Sequence, residues 1–197
     1  MKTHLIPFLA VAALASCNVL QPVKDTSVSH ILEAAAPARN ITGSSPVIAI
    51  ARPAIPGYLD RQQLVTRSPS GNPVMNSNQL WAESLNDGIT RVTAENLGRI
   101  RNSHNIQPVQ SFITIDYSHL LELRITRFDA DAATRTVELE CTWKLQPVTG
   151  RVASIRPFRT EVPIEDPGFT ATSAQHARVA AMNQALAELA AAIAPHL

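Results

Sequence analysis

The residue with the most definite chemistry is Cys17. It closes the stretch Leu14-Ala15-Ser16-Cys17, directly after an apolar run from Leu5 to Ala15 broken only by Pro7 and preceded by Lys2. That run is shorter than the roughly 20 apolar residues a membrane-spanning helix needs. It fits the hydrophobic region of a secretory signal. Two cleavages compete. Ala13-Leu14-Ala15 suits ordinary signal peptidase, with the cut before Ser16; Leu14 to Cys17 suits a bacterial lipobox, with the cut before Cys17 and lipid placed on its sulfur. The second is favoured on chemical grounds. A free thiol exposed in an oxidising compartment is reactive, and acylation removes that reactivity while adding about 0.8 kcal/mol of membrane affinity per buried CH2. The alternative is a soluble exported protein with a stray thiol. Asn18 stands where Asp tends to retain enteric-type lipoproteins at the inner membrane, so the residue leans towards the outer one.

Other reactive side chains are dispersed. The six histidines, at 4, 30, 104, 119, 176 and 196, form no H-x-x-x-H pair and no cluster with cysteine, so zinc is unsupported. Asp129, Asp131 and Glu140 sit at positions 1, 3 and 12 of a calcium-loop spacing, but Ala133 and Thr134 occupy positions that need an oxygen ligand and a glycine. These residues read instead as a solvated hairpin turn. Asp116 and His119 are spaced to meet at a strand end, without a serine in a nucleophile's context. Tyr58, Asp60 and Arg61 form a polar cluster after Pro56. It reads either as a turn in which Asp60 pairs with Arg61 or as a candidate partner contact. No G-x-S-x-G, P-loop or G-x-G-x-x-G motif is present. Nothing in the sequence argues for an enzyme, and no cofactor is expected.

The elements that must position these residues follow from periodicity. Residues 18–27, polar and containing Pro22, read as a tether. Val28 to Leu32 and the β-branched stretch 47–51 read as short strands, with a Pro/Gly/Ser loop at 34–46 between them. Gln63 to Arg67 and Val74 to Ser77 form a hairpin around a turn at 68–73. Residues 79–101 predict a helix capped by Asn78, with Trp81, Leu85, Ile89 and Val92 on one face. Gly88 and Gly98 each weaken it by about 1 kcal/mol against Ala, and Gly88 suits close approach of a strand. Leu121, Leu123 and Ile125, then Val137, Leu139, Cys141, Trp143 and Leu145, alternate with polar residues as a half-buried antiparallel hairpin. Cys141 belongs to its apolar face and reads as a small buried hydrophobe. A final helix over 173–194 begins with a capping box at Thr172 and Gln175 and carries Val179, Met182, Leu186, Leu189 and Ile193 as its stripe. Arg178, Gln184 and Glu188 lie on the other face. The order predicts an α+β fold: a largely antiparallel, mixed sheet with two main helices packed on one face.

Composition sets bounds. Removing 16 of 197 residues leaves 181, enough for one domain with a real core. Hydrophobic residues make up 45%, an ordinary globular share. With 17 basic and 16 acidic side chains the net charge is +1, which gives no electrostatic case for nucleic acid. Two cysteines, one of them acylated, exclude a disulfide framework. The organisation is a signal at 1–16, a lipidated tether at 17–27 and a single domain at 28–197.

Several stretches together resemble one family. They are the lipobox, Pro56-Gly57-Tyr58-Leu59-Asp60-Arg61-Gln62-Gln63-Leu64-Val65-Thr66-Arg67, Arg127-Phe128-Asp129-Ala130-Asp131, the strand containing Leu139 to Leu145, and the alanine-rich terminal helix. The chain is similar to the PqiC/YmbA-type auxiliary lipoproteins of ABC-type and MCE-type lipid transport systems, over roughly residues 28–195. Members often carry aromatic residues in the first strand, where this chain has Ser29-His30-Ile31-Leu32. The resemblance implies a non-enzymatic, outer-membrane-anchored, periplasm-facing subunit. Its implied partners are an MCE-domain protein and ABC transporter components, and it implies a role in envelope integrity, with a homo-oligomeric ring suited to a conduit end. It carries over one chemically defined site, the lipidation site Cys17. An envelope adaptor unrelated to lipid transport is the alternative, and a periplasmic hydrolase the rival from another class.

Overall fold

A computed structural model describes residues 25–37, 40–43, 46–109, 116–150, 154–165 and 171–197, with the side chains of 171 and 172 left aside. The signal, the lipobox and Cys17 lie outside the described residues. In chain order the elements are β1 (Val28–His30), β2 (Ile48–Ile50), β3 (Gln63–Arg67), β4 (Pro73–Trp81), α1 (Leu85–Arg101), β5 (Ile106–Pro108), β6 (His119–Asp131), β7 (Thr136–Pro147), β8 (Arg156–Pro163) and α2 (Ala171–Ile193), ending in a short 3-10 turn, Ala194–His196. The eight strands form one mixed sheet with both helices on one side, the α+β arrangement predicted.

The sheet is organised by β6. One of its edges pairs antiparallel with β7 from His119 opposite Pro147 to Asp131 opposite Thr136. The other edge is shared. β2 runs parallel to its start, with Ile48 opposite His119, and β3 runs parallel to its end, with Arg67 opposite Asp131. β3 turns back into β4 through Ser68–Asn72, where Gly71 adopts φ 82 and its N–H bonds Ser68 O at 2.8 Å. β1 adds parallel to the end of β4, β5 flanks β2, and β8 closes the far side against β7. β5 and β8 carry no strong sequence signal. β5 is three residues long, and β8 begins and ends near Pro157 and Pro163, as tolerated only on a sheet edge.

A bulge at Thr126 decides which face each residue of β6 takes. Ile125 pairs with Cys141, but the next pair is Arg127 with Glu140. An extra residue in one strand flips the parity beyond it. Leu121, Leu123 and Ile125 therefore share the helix-facing side with Phe128 and Ala130, all at most 4% exposed. Arg127, Asp129 and Asp131 take the opposite side. β7 has no such interruption, so Val137, Leu139, Cys141 and Trp143 remain in strict alternation in the core.

α1 corrects the predicted helix. Residues Gln79 to Trp81 are strand: they pair with Val28 to His30, and Trp81 N–H bonds Gln62 O at 2.7 Å. The N-cap is Ser84, not Asn78. Ser84 Oγ accepts Asp87 N–H at 3.2 Å, and Asn78 instead donates to Thr26 Oγ1 at 3.2 Å. Trp81 fits both a helical stripe and a strand's inner face, so its burial alone did not separate the two. Asn102, at φ 53, ends the helix. Gly88 permits the close approach expected of it: a Cβ there would lie 3.3 Å from Leu32 Cδ1, in the segment after β1.

α2 buries the predicted stripe of Val179, Met182, Leu186, Leu189 and Ile193, and also Ala181, Ala185 and Ala190, between α1 and the sheet. Glu188 is not on a free face; it accepts a hydrogen bond from Thr160 of β8. Gln175, the second half of the predicted capping box, is 8% exposed, and Thr172's side chain lies outside the described residues.

Candidate functional site

The segment Pro56 to Arg61 is a tight turn, with Leu59 N–H bonding Pro56 O and Arg61 N–H bonding Leu59 O, each at 2.9 Å. Leu59 anchors the turn in the core at 2% exposure. Tyr58 reaches across to β6, where its hydroxyl donates to Asp129 Oδ2 at 2.9 Å. The chain thereby brings together the two segments that the sequence singled out separately.

Asp129 is the centre. Its carboxylate is fully buried and accepts Arg67 Nε at 2.9 Å on Oδ1 and 3.1 Å on Oδ2, and Arg127 Nε at 3.1 Å on Oδ1. Arg67 continues to Tyr58 Oη at 3.1 Å and to Gly71 O at 3.0 Å, and its guanidinium lies 5.6 Å from the Tyr58 ring centroid. Arg127 extends the network to Asp131 at 2.8 Å and to Glu138, which also receives Arg159 at 2.8 Å. A carboxylate removed from water needs such donors, and charge-assisted bonds of this geometry are the strong kind.

The electrostatics match. Burial and the neighbouring Asp129 carboxylate push the Tyr58 phenol above its usual value. The hydrogen bond to Asp129 raises the Arg67 guanidinium. For Arg127, burial opposes the charge, yet Asp129, Asp131 and Glu138 together outweigh it and raise its pKa. Asp129 accepts three donors, one from each of two arginines and one from a tyrosine. The network is therefore a clamp that fixes the Pro56–Arg67 segment onto β6. The expectation of a solvated hairpin turn at Asp129 and Asp131 is thus corrected. Among the described residues, no group of three or more His, Cys, Asp or Glu side chains converges to hold a metal.

The other predicted residues separate. Asp60 is exposed and makes no ion pair among the described residues. Arg61 donates to Gly57 O at 3.5 Å rather than to Asp60. Both border a shallow cleft of about 370 Å3 beside Glu83, Ser84 and Leu85 at the start of α1. Cys141 is 2% exposed, and burial, then the Glu140 charge, pushes its thiol up to about 12. At the start of β6, Ser118 Oγ lies 3.0 Å from His119 Nδ1 and 3.0 Å from Val47 O. No carboxylate among the described residues hydrogen-bonds the other ring nitrogen, so the orienting member of a catalytic triad is lacking there. The sequence missed the clamp partners Arg67 and Arg127 as site residues. Their signal lay in the quoted motifs, but simple alternation assigns Arg127 and Asp129 to the core face unless the bulge is known.

Sheet, helices and clamp define an α+β module in which a tyrosine-bearing turn is fastened to the central strand. The model of the family described as ABC-type transport auxiliary lipoprotein component matches residues 30–194, and the chain belongs to that family. Both halves of the clamp fall inside the match. Two solved structures share the fold. One, an uncharacterised protein, has 20% identity and a TM-score of 0.64, covering 85% of this chain and 99% of its own. The other, from Xanthomonas campestris and assigned to family DUF330, has 19% identity and a TM-score of 0.64, covering 84% of this chain and 90% of its own. No curated protein matches the chain at a significant level.

Proposed function

We propose that the protein is a lipid-anchored, periplasm-facing accessory subunit of an ABC/MCE-type intermembrane lipid transport system, and that it supports membrane integrity without catalysing a reaction. Family membership over residues 30–194 is the observation that carries this reading, since it makes the chain a lipoprotein component of an ABC transport system. The transporter components are its partners; an MCE-domain protein is the further partner proposed. Cys17 after its apolar signal supplies the anchor, and Asn18 favours the outer membrane. The exposed Asp60 and the neighbouring Arg61, presented on a turn fixed from behind by Tyr58, are the proposed partner contact. A homo-oligomer would repeat that contact around a conduit end.

Affinity capture of the full chain from its own envelope tests the reading. Co-purification of the MCE protein and the ABC permease and ATPase is expected, and capture lost in an Asp60→Arg/Arg61→Glu variant would assign the contact. Capture of envelope proteins without any transporter component would favour the adaptor alternative. Membrane fractionation of Cys17→Ala tests the anchor: release into the soluble fraction is expected, and unchanged membrane association would overturn it.

A further inference from the structure

α2 carries an arginine whose surroundings differ from those of its counterparts. Arg67, Arg91, Arg99 and Arg127 are all partly buried, and each holds a carboxylate. Arg178 is half-buried, yet it makes no hydrogen bond or ion pair among the described residues, and burial without a partner pulls its guanidinium below the usual value. A cation partly drawn out of water with no carboxylate within ion-pair reach carries a cost that a bound anion would offset. Arg178 lines a cleft of about 280 Å3 with Arg67, Asp131, Glu165 and Ala174. Asp131 cannot serve it freely, being held by Arg127 at 2.8 Å and by Ala133 N–H at 2.8 Å.

This cleft shares Glu165 with a second, larger hollow of about 660 Å3 between the end of β8 and α2. Its walls are largely small and apolar: Val162, Pro163, Ala177, Ala180 and Ala181, with His176 at its side. Ala177 and Arg178 are consecutive, so cation and groove adjoin. The groove offers little to a peptide backbone. Its helix wall carries three alanines between Ser173 and Gln184, and Pro163 at the end of its strand wall has no N–H to donate. A hydrocarbon chain needs no such ladder.

We propose that these two hollows form one site for an anionic amphiphile, its phosphate or carboxylate head on Arg178 and its acyl chain along the groove between β8 and α2. The site goes beyond the transport role, because it assigns direct ligand binding to the domain itself.

The probe is dihexanoylphosphatidic acid below its micelle threshold, titrated into the purified full chain and followed by nuclear magnetic resonance shifts of α2. Saturable binding with shifts at Ala177, Arg178 and Ala180 is expected. Arg178→Gln should weaken it about tenfold or more, the scale of a lost charge-assisted bond. Arg178→Lys should restore part of the loss, and Ala180→Phe should block the groove while leaving the head site intact. Circular dichroism verifies folding of each variant. Equal binding of inorganic phosphate would reduce the site to an ion cleft, equal binding of octyl glucoside to a non-specific apolar patch, and preferential binding of a hexapeptide with a free carboxyl terminus to a peptide groove. Each overturns the proposal, as does an Arg178→Gln variant that binds like the parent. Capture of transporter components by Arg178→Gln is expected to be unaffected, so this inference and the transport role fail independently.

Discussion

Arg67 and Asp129 stand 62 residues apart in the chain, yet Arg67 Nε lies 2.9 Å from Asp129 Oδ1 and 3.1 Å from Oδ2. The pair joins the end of β3 to β6 at the seam where those strands pair, Thr66–Arg67 against Ala130–Asp131. Two backbone pairings are a short seam. The side-chain clamp on it is what keeps the β3–β4 hairpin aligned with the rest of the sheet.

Truncating Asp129 should therefore be severe. Asp129→Ala leaves Arg67 and Arg127 without their shared carboxylate, and breaking a buried ion pair costs about 3–5 kcal/mol. Urea unfolding should report a loss in that range. Arg67→Ala combined with Asp129→Ala should cost less than the sum of the singles, with about 1–3 kcal/mol of coupling. Strict additivity would mean that the two side chains do not act together.

The bulge gives a second test. Deleting Thr126 removes the extra residue but leaves Arg127, Asp129 and Asp131 on the face they already occupy, because Ile125 and Arg127 already stand opposite the consecutive residues Cys141 and Glu140. The deletion variant should therefore keep a cooperative unfolding transition. Thr126→Ala keeps the residue count and loses only the bond from Thr126 Oγ1 to Glu140 O at 3.1 Å, a change of about 1 kcal/mol. Loss of the cooperative transition on deletion would show that the fold needs the bulge itself and not only the facing of Arg127, Asp129 and Asp131.

Capping distinguishes the two starts of α1. Ser84→Ala removes the acceptor for Asp87 N–H and should cost about 1 kcal/mol, read as a lower denaturation midpoint. Asn78→Ala loses an exposed contact to Thr26 and should fall within about 0.5 kcal/mol of the parent. The reverse order would place the helix start where the apolar spacing had suggested.

Cys141 gives a pH test. Its native pKa of about 12 lies above its unfolded value of 9.0. The folded chain holds the thiol proton more tightly, so this contribution to stability is complete below pH 9 and is lost as pH rises from 9 towards 12. Cys141→Ala should flatten the alkaline part of the stability profile while costing packing energy at neutral pH. In thiol labelling, the native mature protein should be nearly inert and the denatured protein should expose one reactive sulfur. Two would mean that Cys17 is unmodified.

The features legible in sequence were those governed by one local rule. The β6–β7 hairpin announced itself through alternation, the β3–β4 turn through Ser68-Pro69-Ser70-Gly71-Asn72, and α2 through the spacing of Val179 to Ile193. The misread ones required tertiary information. Gln79 to Trp81 become strand because β1 arrives from 49 residues upstream, as His30 meeting Gln79 shows. Asp129 is buried because a bulge and a distant turn act together. Tyr58 was visible as a candidate, but its partner was not: Asp60 and Arg61 were its neighbours in sequence, while Asp129 came from another part of the sheet. Cys17 remains an assignment from the sequence motif alone.

The position of β6 also dictates an order of events. Its two edges organise the sheet, yet β2 and β3 precede it in the chain by dozens of residues. A polypeptide emerging amino terminus first must keep the β6-facing edges of β2 and β3, at 48–50 and 66–67, unpaired until His119 to Asp131 have followed. Contacts so distant in sequence form slowly, and exposed strand edges self-associate meanwhile. Assembly of this domain should therefore be the step most sensitive to crowding by its own copies, and most helped by a chaperone that shields nascent strands.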